Sequence, residues 1–185
     1  MILASGSPRR KELLQMLEVP FEVLVSDTKE VITKNEPAEV TKELSYQKAM
    51  AVAEQVEEGI IIGADTVVSI DGKILGKPAD TEEAREMIYK LQGKSHMVYT
   101  GVTVIAKSGD MVSASSFAEG TKVNVAPMTE NEIEAYISTD EPYDKAGAYG
   151  IQGLFGKFIE GIKGDYFNVV GLPVHRLYEE LKKFD

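Results

Sequence analysis

Asp65 stands in the run Gly63-Ala64-Asp65-Thr66, directly behind the apolar segment Ile60-Ile61-Ile62. A carboxylate where a strand of an α/β sheet gives way to a turn can activate water or bind magnesium. An Asp in such a break can equally be a turn former that bonds neighbouring backbone N–H groups. A second candidate is SGSPRRKELL, residues 5–14, in which Ser7 and Pro8 read as the N-cap and first residue of a helix. Its first turn then carries Arg9, Arg10 and Lys11, although a helix N-terminus is already partly positive and prefers acids by about 0.3–1 kcal/mol per charge. With an anion bound there, backbone N–H groups, the helix dipole and three cations would converge as a phosphate requires. Without one, the segment is a solvated basic turn whose penalty salt screens.

A third stretch, DKAGAYGIQG, spaces Gly147, Gly150 and Gly153 among Asp144, Lys145 and Gln152. Closely spaced glycines either let backbone approach a ligand or form a tight structural turn. The pattern is neither a dinucleotide-binding G-x-G-x-x-G nor a P-loop. Taken singly, Lys77 in LGKP and Asp27 and Glu30 in the polar loop SDTKEVITKNEP read as surface groups. His96 and His175 are too few and too far apart for a metal site.

These residues need a scaffold. The chain of 185 residues is 43% hydrophobic, enough for one well-packed domain and short for two. It contains no cysteine, so disulfides and thiolate chemistry are excluded, and a reducing, cytoplasmic setting fits. No apolar run approaches the roughly 20 residues of a membrane span, and no signal-peptide pattern opens the chain, so a soluble protein is expected. The formal net charge of -10 repels nucleic acid and anionic membrane, which are not expected partners. An anionic ligand would need a local basic site, and SPRRK is the densest one.

Periodicity and end signals predict a helix over residues 8–17, a strand over 21–25 and a long helix over 38–57. Residues 60–78 predict an apolar strand, a break at 63–65, a second strand and a hairpin turn at Asp71-Gly72. A helix capped by Asp80 with Glu83 three residues on, two long strands joined at 108–110, and a helix opened by a Thr129/Glu132 capping box follow. A strand near 156–162 and a terminal helix over 173–184 close the chain. Helices interleaved with strands and hairpins give an α/β fold, a mixed sheet flanked by helices.

Taken together, LASGSPRRKELL, GADTVV, LGKP, DKAGAYGIQG and VVGLP, in this order, resemble the Maf family of nucleoside triphosphate pyrophosphatases over residues 2–184. The resemblance implies an elongated mixed sheet flanked by helices, similar to inosine triphosphate pyrophosphatases. It further implies a single domain over residues 1–185 with its active-site cleft between two lobes, and it leaves room for a homodimer. The implied reaction cleaves a nucleoside triphosphate between the α and β phosphates with a divalent cation, Mg2+ or Mn2+. By position, Asp65 matches the family's proton acceptor and Glu30 an acidic position that helps Asp65 hold metal. Ser5, Arg9, Arg10 and Lys77 match its phosphate-cleft residues, and Lys48 a further basic position.

One branch of the family resembles dTTP/UTP pyrophosphatases and carries SPRR, GADT and GIQG. A 7-methyl-GTP branch differs at all three segments. Arg9, Thr66 and Gln152 follow the dTTP/UTP pattern. The resemblance also admits a non-catalytic nucleotide-binding regulator linked to septum formation. A candidate base together with a metal-binding acid favours catalysis, since binding alone needs only the basic groups.

Overall fold

The computed structural model describes all residues except Ser26, Thr28 and Asp185. Its elements are β1 (Ile2–Leu3), α1 (Pro8–Gln15), β2 (Glu22–Val23), α2 (Pro37–Ala53), β3 (Glu58–Ile70), β4 (Lys73–Leu75), α3 (Thr81–Leu91), β5 (Ser95–Ser108), β6 (Met111–Val125), α4 (Glu130–Ile137), β7 (Ile159–Lys163), α5 (Tyr166–Val170) and α6 (Val174–Leu181). Short 3-10 turns fill Glu141–Asp144, Ala146–Ala148 and Leu154–Phe158. The strands form one mixed sheet in the order β2-β1-β3-β5-β6-β7, with β4 paired to β3. Pairing of β1 with β2 and with β3 is parallel, whereas β3–β4 and β6–β7 are antiparallel. Among the described residues no helix is long and apolar enough to cross a membrane.

Local end signals act as the sequence dictates. Ser7 is the N-cap of α1 in extended geometry, with Pro8 at the first helical position. Asp80 caps α3 by accepting from the Glu83 N–H at 2.9 Å. The Glu83 carboxylate accepts from the Ala79 N–H, so the reciprocal bond falls one residue before the cap. At α4 both halves of the Thr129/Glu132 box are present. Asp71 and Gly72 turn the β3–β4 hairpin with φ of 49° and 73°, the left-handed pair that a two-residue hairpin requires.

One expectation fails. Residues 63–65 do not break a strand; β3 runs through them without interruption. Gly63 serves an approach rather than a turn, because a Cβ placed on it would lie 2.3 Å from the Ser45 carbonyl oxygen and 2.9 Å from the Ala49 Cβ. Gly101 on β5 makes the same allowance, its missing Cβ falling 2.3 Å from the Thr41 carbonyl. Thr41, Ser45 and Ala49 are four apart and form one stripe of α2, so the helix backbone rests directly on the glycine positions of two neighbouring strands. Other differences are of extent, since α1 and α2 end earlier than expected and β2 keeps only two residues, and one is an added element, α5, that the periodicity does not predict.

By compactness the chain divides into two units. The first comprises residues 1–66, 100–119 and 171–185. Its core joins Ile2 and Ala4, Ile61 of β3, Ile105 of β5 and the Ala49, Val52 and Ala53 stripe of α2. The second comprises residues 67–99 and 120–170. Its core gathers Val68 and Ile70, the inner faces of α3 and α4, Val98, Val123 and an aromatic group of Tyr136, Tyr149, Phe155 and Phe158.

Replacing Gly63 by Ala is expected to destabilise the protein by about 2 kcal/mol, because the added methyl meets helix backbone and not a yielding side chain. Urea denaturation measures this, and a midpoint equal to wild type would show that α2 can step back without cost.

Candidate active site

The Gly63 approach also sets the position of Asp65. Side chains two apart on a strand share a face, so Asp65 points to the side on which α2 rests, and Lys48 immediately precedes the buried Ala49 of that helix. The Lys48 ammonium lies 2.5 Å from Asp65 Oδ1 and 3.0 Å from Glu30 Oε1. Asp65 is buried, and Glu30 is about half exposed. One cation thus holds together two carboxylates from a strand and a loop that are 35 positions apart in sequence.

Arg10 is the second hub. Its Nε donates to the Gly171 carbonyl at 2.9 Å, Nη1 to Ser5 Oγ at 3.2 Å and Nη2 to Thr66 Oγ1 at 3.0 Å. Thr66 Oγ1 lies 2.9 Å from Thr100 Oγ1 on β5. Desolvation pulls the Arg10 pKa below its ordinary value, and Asp65 opposes that shift. A guanidinium carries five N–H donors, so three bonds lock its plane and two donors have no partner among the described residues. Gly171, with φ of 126°, has conformational freedom that matters here: a Cβ would sit 3.6 Å from both Arg10 Nε and Thr66 Oγ1, and the turn holds its carbonyl against Arg10.

The structure therefore brings Ser5, Arg10, Thr66, Asp65, Lys48 and Glu30 together in the first unit as two linked hubs, joined through the adjacent pair Asp65-Thr66. Arg9, half-buried, is in the first turn of α1, and its charge is felt at Arg10. Lys77 and Gln152 belong to the second unit, where both are exposed. Two participants escape sequence reasoning, Thr100 and Gly171. Nothing marks Thr100 within its strand, whereas the VVGLP motif, taken only as a sign of resemblance, contains Gly171. Among the described residues no group of three or more His, Cys, Asp and Glu side chains could hold a metal ion.

A buried carboxylate held by an ammonium can accept a proton, and a fixed guanidinium whose charge is coupled to that carboxylate can receive an anionic group. The Maf-like protein family model matches residues 1–184. The chain belongs to the Maf family. It is 54% identical over its whole length to a dTTP/UTP pyrophosphatase of Bacillus cytotoxicus and 51% identical to one of Bacillus cereus strain ATCC 14579, covering 95% of each. In fold it is similar to the Staphylococcus aureus Ham1 protein, with a TM-score of 0.54 at 13% identity over 100% of this chain and 98% of the other. That likeness speaks for the mixed α/β fold expected of a Maf sequence.

Proposed function

We propose that this Maf-family chain hydrolyses dTTP and UTP between the α and β phosphates, releasing the nucleoside monophosphate and pyrophosphate, in the cytoplasm. The observation that carries the reading is the convergence of Asp65 and Glu30 on Lys48, next to the Arg10–Thr66 pair, in a chain whose curated relatives carry that activity in their names. Asp65 takes the proton of the attacking water. Arg9, Arg10 and Lys77 offset the charge of the triphosphate and the charge that builds on the pyrophosphate leaving group. For Lys77 and Gln152 the assignment rests on the sequence resemblance.

The donor set suits a divalent metal. Glu30 and Asp65 offer hard carboxylate oxygens that already meet at one cation, and magnesium is commonly held by one or two carboxylates with substrate phosphates and water completing its shell. When bound, Mg2+ or Mn2+ would polarise the phosphoryl oxygens as a Lewis acid. Exhaustive treatment with EDTA is expected to abolish turnover and added Mg2+ or Mn2+ to restore it; undiminished activity in the chelated protein would refute the metal requirement. The reaction itself is tested by incubating the protein with dTTP and Mg2+ and resolving the products. Diphosphate and free phosphate as primary products would identify a different reaction.

Gln152 presents a neutral amide, one donor group and one acceptor group, which matches the carbonyl and N3–H of thymine or uracil. A carboxylate in its place only accepts. Gln152→Glu is therefore expected to lower kcat/KM for dTTP and UTP by about 5–150-fold, the 1–3 kcal/mol cost of an unsatisfied polar group. It should do so without a comparable loss in phosphate binding. Equal losses on dTTP, UTP, CTP and 7-methyl-GTP would show that Gln152 does not read the base.

A further inference from the structure

Gln152 is exposed, so the backbone that follows it must set where its amide is presented. That backbone enters the 3-10 turn Leu154–Phe158, whose first N–H groups have no partner within the turn. The Glu141 carboxylate supplies one. Oε2 accepts from the Leu154 N–H at 2.7 Å and Oε1 from the Phe155 N–H at 3.4 Å, while the single proton of the Tyr136 hydroxyl is shared between Oε1 at 3.3 Å and the Ala148 carbonyl at 3.1 Å. Gly153 makes room for it: a Cβ there would lie 2.3 Å from Oε1 and 2.4 Å from Oε2.

Glu141 is itself anchored. Its N–H donates to Thr139 Oγ1 at 3.3 Å, and its carbonyl accepts from Lys145 Nζ at 2.7 Å. Beyond the turn, Phe155 is wholly buried, with ring centroids of Tyr149 at 4.8 Å, Tyr136 at 5.1 Å and Phe158 at 5.6 Å. Before it, the Gly153 N–H closes on the Gly150 carbonyl at 3.2 Å. Gln152 therefore sits at the tip of a turn whose outgoing arm is fixed by one carboxylate and one aromatic anchor.

We propose that Glu141 is a positioning residue for base recognition: its carboxylate fixes the backbone at 153–155 and so aims the Gln152 amide at a pyrimidine edge. This rests on the reading that Gln152 contacts the base. Glu141 touches no substrate in this role. It acts through two backbone N–H groups, and the missing side chain at position 153 is the other half of the device.

The test uses the full chain and Glu141→Gln, which keeps one carbonyl acceptor and loses the other, with Gly153→Ala, which leaves the carboxylate but drives it from its seat. Folded state is checked by circular dichroism and a melting scan, and Gln152→Ala is the reference. Inhibition by UMP reports base contacts and inhibition by pyrophosphate reports phosphate contacts. In both variants the inhibition constant for UMP is expected to rise by about ten-fold, one missing or misplaced hydrogen bond at 1.4 kcal/mol per decade, with that for pyrophosphate unchanged. Hydrogen exchange at the amides of 154 and 155 should quicken with it. Folded variants that bind UMP as wild type does, while Gln152→Ala weakens it, would overturn the role of Glu141. Equal weakening of UMP and pyrophosphate would reduce Glu141 to a general stabiliser and overturn it too. If Gln152→Ala itself leaves UMP inhibition unaltered, the base-reading assignment fails first and takes the role of Glu141 with it.

Discussion

Asp65→Asn is expected to yield a folded protein whose turnover of UTP is lower by about 10²–10⁴-fold, the range that a positioned proton acceptor supplies. The amide has nearly the shape of the carboxylate, and its oxygen can still accept from the Lys48 ammonium at the place where Asp65 Oδ1 now lies, 2.5 Å away. Lys48 keeps Glu30 as a charged partner. What disappears is the ability to take a proton from water, together with one anionic oxygen available to a cation. The loss should fall on kcat and leave KM close to wild type, because Arg9, Arg10 and Lys77, the groups proposed to bind the phosphates, are untouched. Pyrophosphate release at saturating UTP and Mg2+ measures the first, and a denaturation midpoint equal to wild type checks the fold. Near-normal turnover would remove Asp65 from the chemistry and leave the Lys48 cluster as a structural ion pair.

The parts of this fold that sequence made legible are those with local causes. Ser7-Pro8, Asp80, Thr129 with Glu132 and Asp71-Gly72 each act within a few residues of themselves, and each stands where its chemistry places it. Gly63 differs because its cause is not local. A glycine inside an apolar run signals either a bend or a close approach of another backbone, and choosing between them requires knowing that α2 crosses β3 at that point. The close approach changes the account of Asp65, which is held inside a continuous strand against a helix and not at a strand end.

The site was legible only as a set of unconnected residues. Arg10 and Gly171 are 161 positions apart, Thr66 and Thr100 are 34 apart, and the bonds between them follow from sheet order and from the return of the C-terminal segment. Hydrogen-bond partners at such distances leave no periodicity to read. Resemblance supplied Ser5, Arg10, Lys48, Glu30 and Thr66 by position. Geometry adds the order within them: Arg10 ties three chain segments, and Lys48 ties two carboxylates.

His96 of the second unit is expected to make the protein lose stability on mild acidification. His96 on β5 is 3% exposed. Its Nε2 lies 2.6 Å from the Tyr149 hydroxyl, and its Nδ1 has no hydrogen-bond partner among the described residues. Burial pushes the imidazole down to about 4 from an ordinary 6.5 and pushes the Tyr149 phenol up, so the pair is neutral at physiological pH. Protonating His96 would put a charged N–H where nothing accepts it. Between pH 6.5 and about 4 the unfolded chain therefore binds a proton that the folded chain refuses, and stability falls as pH falls through that window. Across the window the loss comes to about 3 kcal/mol, at 1.36 kcal/mol per unit of pKa difference. Glu134 and Glu180, held below the usual carboxylate value of 4.5, also withdraw stability on acidification, but their contribution is lost only as pH drops below that value. Urea midpoints measured from pH 4.5 to 7 for wild type and for His96→Phe separate the two. The phenylalanine variant leaves the Tyr149 hydroxyl unpaired and should be less stable at pH 7, yet its midpoint should be nearly flat over the range in which wild type declines. Parallel slopes for the two proteins would mean that the acid sensitivity resides elsewhere in the chain and that His96 accepts its proton without penalty.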